Sequence, residues 1–369
     1  MNEPVFMPGL ELARRYWEEA IRPILSREFP GLSYAAGLLG EGSDVLGFAT
    51  GRSMDHDWGP RLTLFLRAED LELMSPQIDD CLHAHLPRTF LGFATGVGFH
   101  PDGATRPAAE GESFQHRISI TSPKTMLHWL IGIESIADLT PAVWITASQQ
   151  KLLELTAGEI FYDGTDEITG IRAAFDWYPD DVWRYVMAGV WKRIAQVEPF
   201  VGRCGEVGDD LGSQLVAMSL VRDIMCLAFL QERRYAPYPK WFGTAFSRLE
   251  MAPNLTPLLD RARFARDWKD REAGIVDAVV MLAEQHNRLG VTPPLDSSSR
   301  RFWTRPFQVL DAERFTRALE DSITDPAVRS LPRDLGGVDT WIDSTDALGH
   351  LGLLLAVRAW IDGTTATPD

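Results

Sequence analysis

The sequence predicts an α/β domain, a small mixed sheet with flanking helices, followed by a mainly helical domain. Three observations carry that expectation. Two short apolar runs, Ser33–Leu39 and Arg61–Leu66, have strand composition and bracket a Gly42-Ser43 turn and an Asp55-His56-Asp57-Trp58 string, with eleven residues between Ser43 and Asp55. From about residue 123 onward apolar residues recur at helical spacing, broken by Pro and Gly. With 369 residues, 45% of them hydrophobic, the chain can bury a large core and fill about two domains.

Along the chain, Pro8, Leu10, Leu12, Ala13, Tyr16, Trp17, Ala20, Ile21 and Leu25 keep helical spacing, and Pro23 is expected to bend or end that helix. The first strand then enters the Gly-Ser turn and the second follows the acidic pair. Residues 69–86 read as a helix, residues 99–113 as a surface loop or flap rich in Gly, Pro and charge, and His116–Ile120 as a further strand. Tyr178-Pro179-Asp180-Asp181 has Pro and acids where a first helical turn favours them, so a helix should run from there to about Val197. Further helices are expected over 213–232, 254–266, 270–289, 311–323 and 344–361. The Pro-Pro-Leu-Asp-Ser-Ser-Ser stretch at 293–299 reads as a linker, giving domains 1–122, 123–292 and a C-terminal helical extension, 293–369.

The chemistry lies at the turn and the acidic pair. A triphosphate is approached most closely by backbone N–H groups at a tight turn with no large side chain, which Gly42-Ser43 supplies. Asp55 and Asp57 are one residue apart. On a strand both carboxylates would leave the same face, able to share divalent cations, with His56 pointing the other way.

These residues resemble the DNA polymerase β-like nucleotidyltransferase superfamily, in which a strand, a Gly-Ser turn and Asp-x-Asp on a second strand hold magnesium nucleotide. The strings Gly42-Ser43-Asp44-Val45-Leu46-Gly47-Phe48 and Ser53-Met54-Asp55-His56-Asp57-Trp58-Gly59-Pro60-Arg61 look more specifically like a bacterial branch catalogued as a domain of unknown function. Trp177–Tyr185, Gly205–Ser213 and Arg234–Phe242 agree with that branch, and the resemblance spans roughly residues 7–290. It implies a nucleotidyltransferase domain with ATP or another nucleoside triphosphate as donor. Ser43 would meet the γ-phosphate, and Asp55 and Asp57 would hold one or two Mg²⁺ ions. By likeness in layout to aminoglycoside nucleotidyltransferases, the acceptor is a hydroxyl of a small, cationic molecule.

One departure weighs against turnover. The superfamily usually places a third carboxylate on the next strand, where this chain has Ser119, whose hydroxyl is no general base at neutral pH and carries no charge to offer a metal. Glu110, Glu112 and His116 are nearby in sequence, but none replaces it in an obvious way. A nucleotide-binding regulator or partner protein that has lost turnover is therefore the alternative.

From the helical domain, Lys240 in Tyr238-Pro239-Lys240-Trp241 is the expected phosphate-binding cation, with Arg233, Arg234 and Tyr235 as weaker candidates; a surface Lys beside a packing Trp is the plainer account. Glu206, Asp209 and Asp210 would gather negative charge for an amine-bearing acceptor, and the same placement also serves helix-dipole stabilisation. His83 and His85, two residues apart on a helix, diverge by about 200° and read as a solvated face. The twelve tryptophans read mostly as core.

The charge bounds the partners. With 52 Asp plus Glu against 36 Lys plus Arg, the net charge is −16, so duplex nucleic acid is not an expected partner. Three cysteines at no metal spacing fit a reducing cytoplasm, and no run approaches about 18 uninterrupted apolar residues, so no membrane is expected. The oligomeric state is left open. No P-loop, Gly-x-Gly-x-x-Gly, His-Glu-x-x-His or Cys-x-x-Cys pattern is present, which removes the chemistries those motifs serve.

Overall fold

The chain, described here from a computed structural model over residues 5–55, 58–99, 105–108 and 114–363, divides into two compact units. The first takes in 1–138 and 151–176, and the second 139–150 and 177–369.

In the first unit the strands are β1 (Tyr34–Leu38), β2 (Leu62–Leu66), β3 (Thr89–Phe90), β4 (Phe93–Ala94), β5 (Gly96–Phe99), β6 (Thr105–Pro107), β7 (Gln115–His116), β8 (Ile118–Thr121) and β9 (Glu159–Asp163). The main sheet has the order β8-β2-β1-β9, with β1 antiparallel to β2 and β9, and β2 parallel to β8. It is the small mixed sheet that the sequence predicts. One face presents Tyr34, Ala36, Leu62, Leu64, Leu66 and Ile118 to Tyr16, Trp17, Ile21 and Leu25 of the N-terminal helical run and to Ile78 and Leu82 of helix Ala68–His85. Each such Leu or Ile, fully buried, contributes about 1.5–3 kcal/mol. The other face sets Ala35, Leu39 and Phe65 against Ile168 and Met126. Both faces of β1 are thus covered, which explains why its sequence reads as a continuous apolar run without alternation.

Pro23 does not break the N-terminal helix. A π-helical turn, Trp17–Ile21, immediately precedes it and joins Gly9–Tyr16 to Arg22–Glu28, with Arg22 N–H reaching Trp17 O. Widening the helix there gives the proline ring room that an α-helical Glu19 carbonyl would deny it. The strand expected at His116–Ile120 is interrupted at Arg117: β7 pairs with β5 of a small three-stranded sheet, and β8 pairs with β2.

The expected domain boundaries differ from these units. The stretch 123–138, with helix Pro123–Ile131, and residues 151–176 belong to the sheet-bearing unit, because β9 completes the edge of β1. A five-residue strand within helical sequence leaves too little alternation to be seen.

The second unit is mainly helical, built on Asp180–Val197, Asp210–Gln231, Ala252–Phe264, Trp268–Leu289 and Glu313–Ser322. Asp180–Val197 is buried on most sides, and Gly189 lets it pass Gly336 so closely that an added Cβ would lie 2.4 Å from the Gly336 Cα. Residues 293–299 are no loose linker. Asn287 donates to Leu295 O at 2.7 Å and accepts from Leu295 N–H at 2.9 Å, and Glu198 accepts from the N–H groups of Leu310 and Ala312. Phe315 stacks on Trp191 at 4.7 Å between ring centroids, so the expected C-terminal extension is part of the same core. Among the described residues, Asp210–Gln231 is the one helix long and apolar enough to cross a membrane, and half of that stretch is buried. Cys81, Cys204 and Cys226 form no disulfide.

Candidate functional site

The Gly-Ser turn follows closely on β1 and is held by an ion pair between a buried carboxylate and a partly buried guanidinium. Arg61, just ahead of β2, donates through Nη2 to Asp44 Oδ1 at 2.7 Å and through Nε to Oδ2 at 3.2 Å, and also reaches Glu41 O at 2.9 Å. Asp44 Oδ1 accepts the Val45 N–H as well. The chain then winds tightly, with Leu46 N–H to Gly42 O and Phe48 N–H to Ser43 O. Gly42 has φ +135°, and a Cβ there would lie 2.3 Å from Asp44 Oδ1 and 2.4 Å from Arg61 Nη2. The glycine is thus required twice over, by its dihedral and by the ion pair packed against it.

The sheet register adds a second feature. Gly37 of β1 pairs with Thr63 of β2, which pairs with Ser119 of β8, so the three form a row of small side chains on one face. Ile118 faces the buried side while Ser119 is exposed. Ser119 therefore lies in the same cross-strand row as Gly37, near the end of β1, and Gly37 is three residues before Gly40 and five before Gly42.

Asp55 is not on a strand; it closes the 3-10 turn Gly51–Asp55, ahead of β2. The reason is local: the Gly59-Pro60 pair separates the acidic string from the extended run, and Gly59 takes φ +137°. The same-face argument for two carboxylates on a strand does not apply at Asp55. His56 and Asp57 lie outside the described residues, as do Glu110 and Glu112.

A cation not picked out from the sequence stands near the turn. Lys151, in helix Gln149–Thr156, has a side chain only 13% exposed, with Nζ 2.8 Å from Glu154 Oε2 and 3.4 Å from Glu41 Oε1. Burial works against its charge, but Glu154 and Glu41 outweigh that and hold its pKa above the ordinary lysine value. Its helix is tied to the turn by Gly40 N–H donating to Glu154 O at 3.0 Å. Nothing in the local sequence marks Lys151, because 110 residues of chain separate it from Glu41.

The candidates from the helical unit have structural partners. Lys240 is exposed in the first turn of helix Pro239–Phe246, its Nζ 5.3 Å from the Trp241 ring centroid. The preceding loop is pinned by Gln149, accepting from Ala236 N–H, and Gln150, accepting from Tyr238 N–H. Tyr235 is buried against Trp177 and Tyr178, which leaves its ring unavailable for stacking on a base. Arg233 lies over Trp183, 4.1 Å from its ring, and pairs with Asp180.

Asp209 is the N-cap of Asp210–Gln231, accepting from Gly212 N–H at 2.8 Å, and it starts that helix three residues before the expected Ser213. Asp210 accepts from the buried Arg271 at 3.0 Å and from Gln214, and these bonds lower its pKa. Glu206 ends the preceding helix, 3.8 Å from Arg305. The trio is not a shared pocket of unclaimed charge. Asp180 and Asp181 sit in the first turn of helix Asp180–Val197, as expected, and Asp181 also accepts from the N–H groups of Thr324 and Asp325.

Comparison with known proteins is sparse. A family model described as a domain of unknown function (DUF4037) matches residues 144–242, a stretch that contains the three later strings of the resemblance. No curated protein matches. Among solved structures, a nucleotidyltransferase-like protein from Exiguobacterium sibiricum 255-15 is similar at 11% identity, over 83% of this chain and 89% of that one, with a TM-score of 0.35.

Proposed function

We propose that the chain is a Mg²⁺-dependent nucleotidyltransferase that moves a nucleoside monophosphate, AMP from ATP, to a hydroxyl of a small cationic acceptor. The observation that carries this reading is the Gly42-Ser43 turn, whose left-handed glycine is enforced by the Asp44–Arg61 pair at the end of β1. In this reading the turn's backbone and Ser43 cradle the terminal phosphates. Held by the carboxylates of Asp55 and Asp57, Mg²⁺ would offset the triphosphate charge and polarise the α-phosphate. The acceptor oxygen forms a bond to the α-phosphorus as the α–β bridge bond breaks; pyrophosphate leaves, and the hydroxyl proton passes to a base. Lys240 contributes positive charge towards the phosphates. Glu206, Asp209 and Asp210 give an amine-bearing acceptor a negative surface, each while keeping its structural partner.

A second reading has its own observation. Ser119, exposed in the Gly37–Thr63–Ser119 row, stands where a third carboxylate is expected. It favours a nucleotide-binding regulator or partner protein with little turnover. Titration with ATP with and without Mg²⁺, followed by pyrophosphate release with a panel of amine-bearing acceptors, separates the two. Metal-dependent binding with release supports the enzyme, and binding without release supports the regulator. Asp55→Ala with Asp57→Ala should abolish metal-dependent binding in both cases; unchanged binding removes the site assignment. Ser119→Glu should raise transfer if the missing base limits it.

A further inference from the structure

His83 does not share its environment with His85, as their spacing invites one to ask, but with a residue 33 positions further on. Asp79 and His83 occupy positions i and i+4 of helix Ala68–His85, on one face. His116 of β7 projects against that face, its ring centroid 4.4 Å from that of His83. One donor atom from each of Asp79, His83 and His116 lies within 4.8 Å of the others. The His116 side chain is 2% exposed and its Nε2 has no hydrogen-bond partner among the described residues, although Asp79 Oδ1 lies 3.2 Å away. The other oxygen of Asp79 lies 3.3 Å from His83 Nδ1, which donates to the Asp79 backbone carbonyl at 2.9 Å, a bond that ligation through Nδ1 would replace.

We propose that Asp79, His83 and His116 form a binding site for a divalent transition metal of the zinc class, separate from the Mg²⁺ of the proposed nucleotide site. The donor set, two imidazoles and one carboxylate, is of the kind that selects zinc over magnesium, which prefers an all-oxygen shell. Donors on a tetrahedral zinc with bonds of about 2.0–2.1 Å stand roughly 3.3–3.4 Å apart; each ring already stands that close to a different oxygen of Asp79, and the three donors draw in from separations of up to 4.8 Å as the ion binds. One carboxylate and two neutral rings leave a divalent ion partly uncompensated, and the exposed side of His83 admits water to a fourth position. Phe114 packs edge-on to His83 at 6.2 Å and closes part of the rim.

Coordination through His116 Nε2 places the ring proton on Nδ1, which lies 3.3 Å from the Ile118 N–H. That contact therefore opens as the ion enters. The ion would clamp β7, and through it β8 with Ser119, to helix Ala68–His85.

The test uses the full chain with any affinity tag removed. Zn²⁺ is titrated calorimetrically, and Co²⁺ is added as a spectroscopic stand-in. One equivalent should bind, with the visible bands of tetrahedral cobalt, a raised melting temperature, and a shifted Ile118 amide resonance. His83→Ala, exposed and so harmless to folding, should weaken binding by at least about tenfold, as should Asp79→Asn. Cys81→Ser with His85→Gln, which removes the neighbouring thiol–imidazole pair on the same helix, should leave it intact, as should Asp55→Ala with Asp57→Ala. Absence of stoichiometric uptake, or uptake indifferent to His83→Ala and Asp79→Asn, overturns the proposal.

Discussion

In the sheet-bearing unit, Asp44 is buried beside Arg61 and Glu154 beside Lys151, whereas in the helical unit Glu198 and Glu272 are buried with backbone N–H groups as their hydrogen-bond partners. Glu272 Oε2 has no hydrogen-bond partner among the described residues. A guanidinium or ammonium beside a buried carboxylate offsets part of its desolvation and fixes the groups around it. A carboxylate that has only amide dipoles is pushed towards its neutral form by desolvation. For Glu198 and Glu272 burial is the largest cause, and it raises each pKa to about 7, with the backbone hydrogen bonds pulling the other way. These first-unit pairs thus hold the geometry of one turn, while Glu198 and Glu272 tie down backbone in the second unit, where, among the described residues, the buried carboxylate of Asp223 is the one set beside a guanidinium, that of Arg193.

The largest break in this comparison comes from removing one member of the turn's ion pair. Arg61→Ala should cost about 4 kcal/mol, since it leaves Asp44 buried without a counter-charge. Asp44→Asn on top of it should recover part of that in chemical denaturation, and a cost below about 1 kcal/mol would show that solvent already screens the pair.

Comparable in size, being shared between two groups, is the pH response of the helical unit. Both glutamates go from an unfolded value of 4.5 to about 7 in the fold. Their contribution is fully present below pH 4.5, where both states are protonated, and is lost as pH rises through about 7. Each shift corresponds to about 3 kcal/mol. Urea melts followed on second-unit tryptophans should therefore show lower stability at pH 8 than at pH 5, and Glu272→Gln should flatten the difference. Stability that rises over this interval would refute the assignment.

A smaller effect is expected at Gly42. Gly42→Ala should cost about 2 kcal/mol from the left-handed backbone alone, and should weaken ATP binding as the turn shifts away from Asp44 and Arg61. Retained affinity at reduced stability would dissociate the turn from the nucleotide. The smallest is Asp209→Ala, at about 1 kcal/mol for a lost N-cap. Unchanged acceptor turnover in that variant would confine Asp209 to capping, while lost turnover at near-native stability would restore its place in acceptor recognition.

How far each feature could be read in the sequence follows from the distance over which it is determined. β1 and β2 were visible because Ala35, Ala36, Leu64 and Phe65 are apolar in runs bounded by turn residues. Helices of the second unit were visible where burial repeats every three to four residues, as in Trp268–Leu289. β9 was not, since its strand identity depends on pairing with β1 more than a hundred residues earlier. For the same reason the 293–299 stretch, rich in Pro and Ser, looks like a linker until Asn287 is seen to clamp Leu295.

By itself, the sequence determined what depends on neighbours in the chain: the Gly-Ser turn after an apolar strand, the Pro-Asp-Asp helix start, and the acidic balance of the composition. Those properties rest on backbone sterics, dipoles and composition, all short-ranged. Only the tertiary structure decided which charges meet. It placed Lys151 near the Gly-Ser turn, locked Gly42 with Asp44 and Arg61, gave Asp210 to Arg271, and turned His83 away from His85 towards His116. Electrostatic and coordination partners are set by distance in space, and distance in space is fixed only once strands have paired and helices have packed.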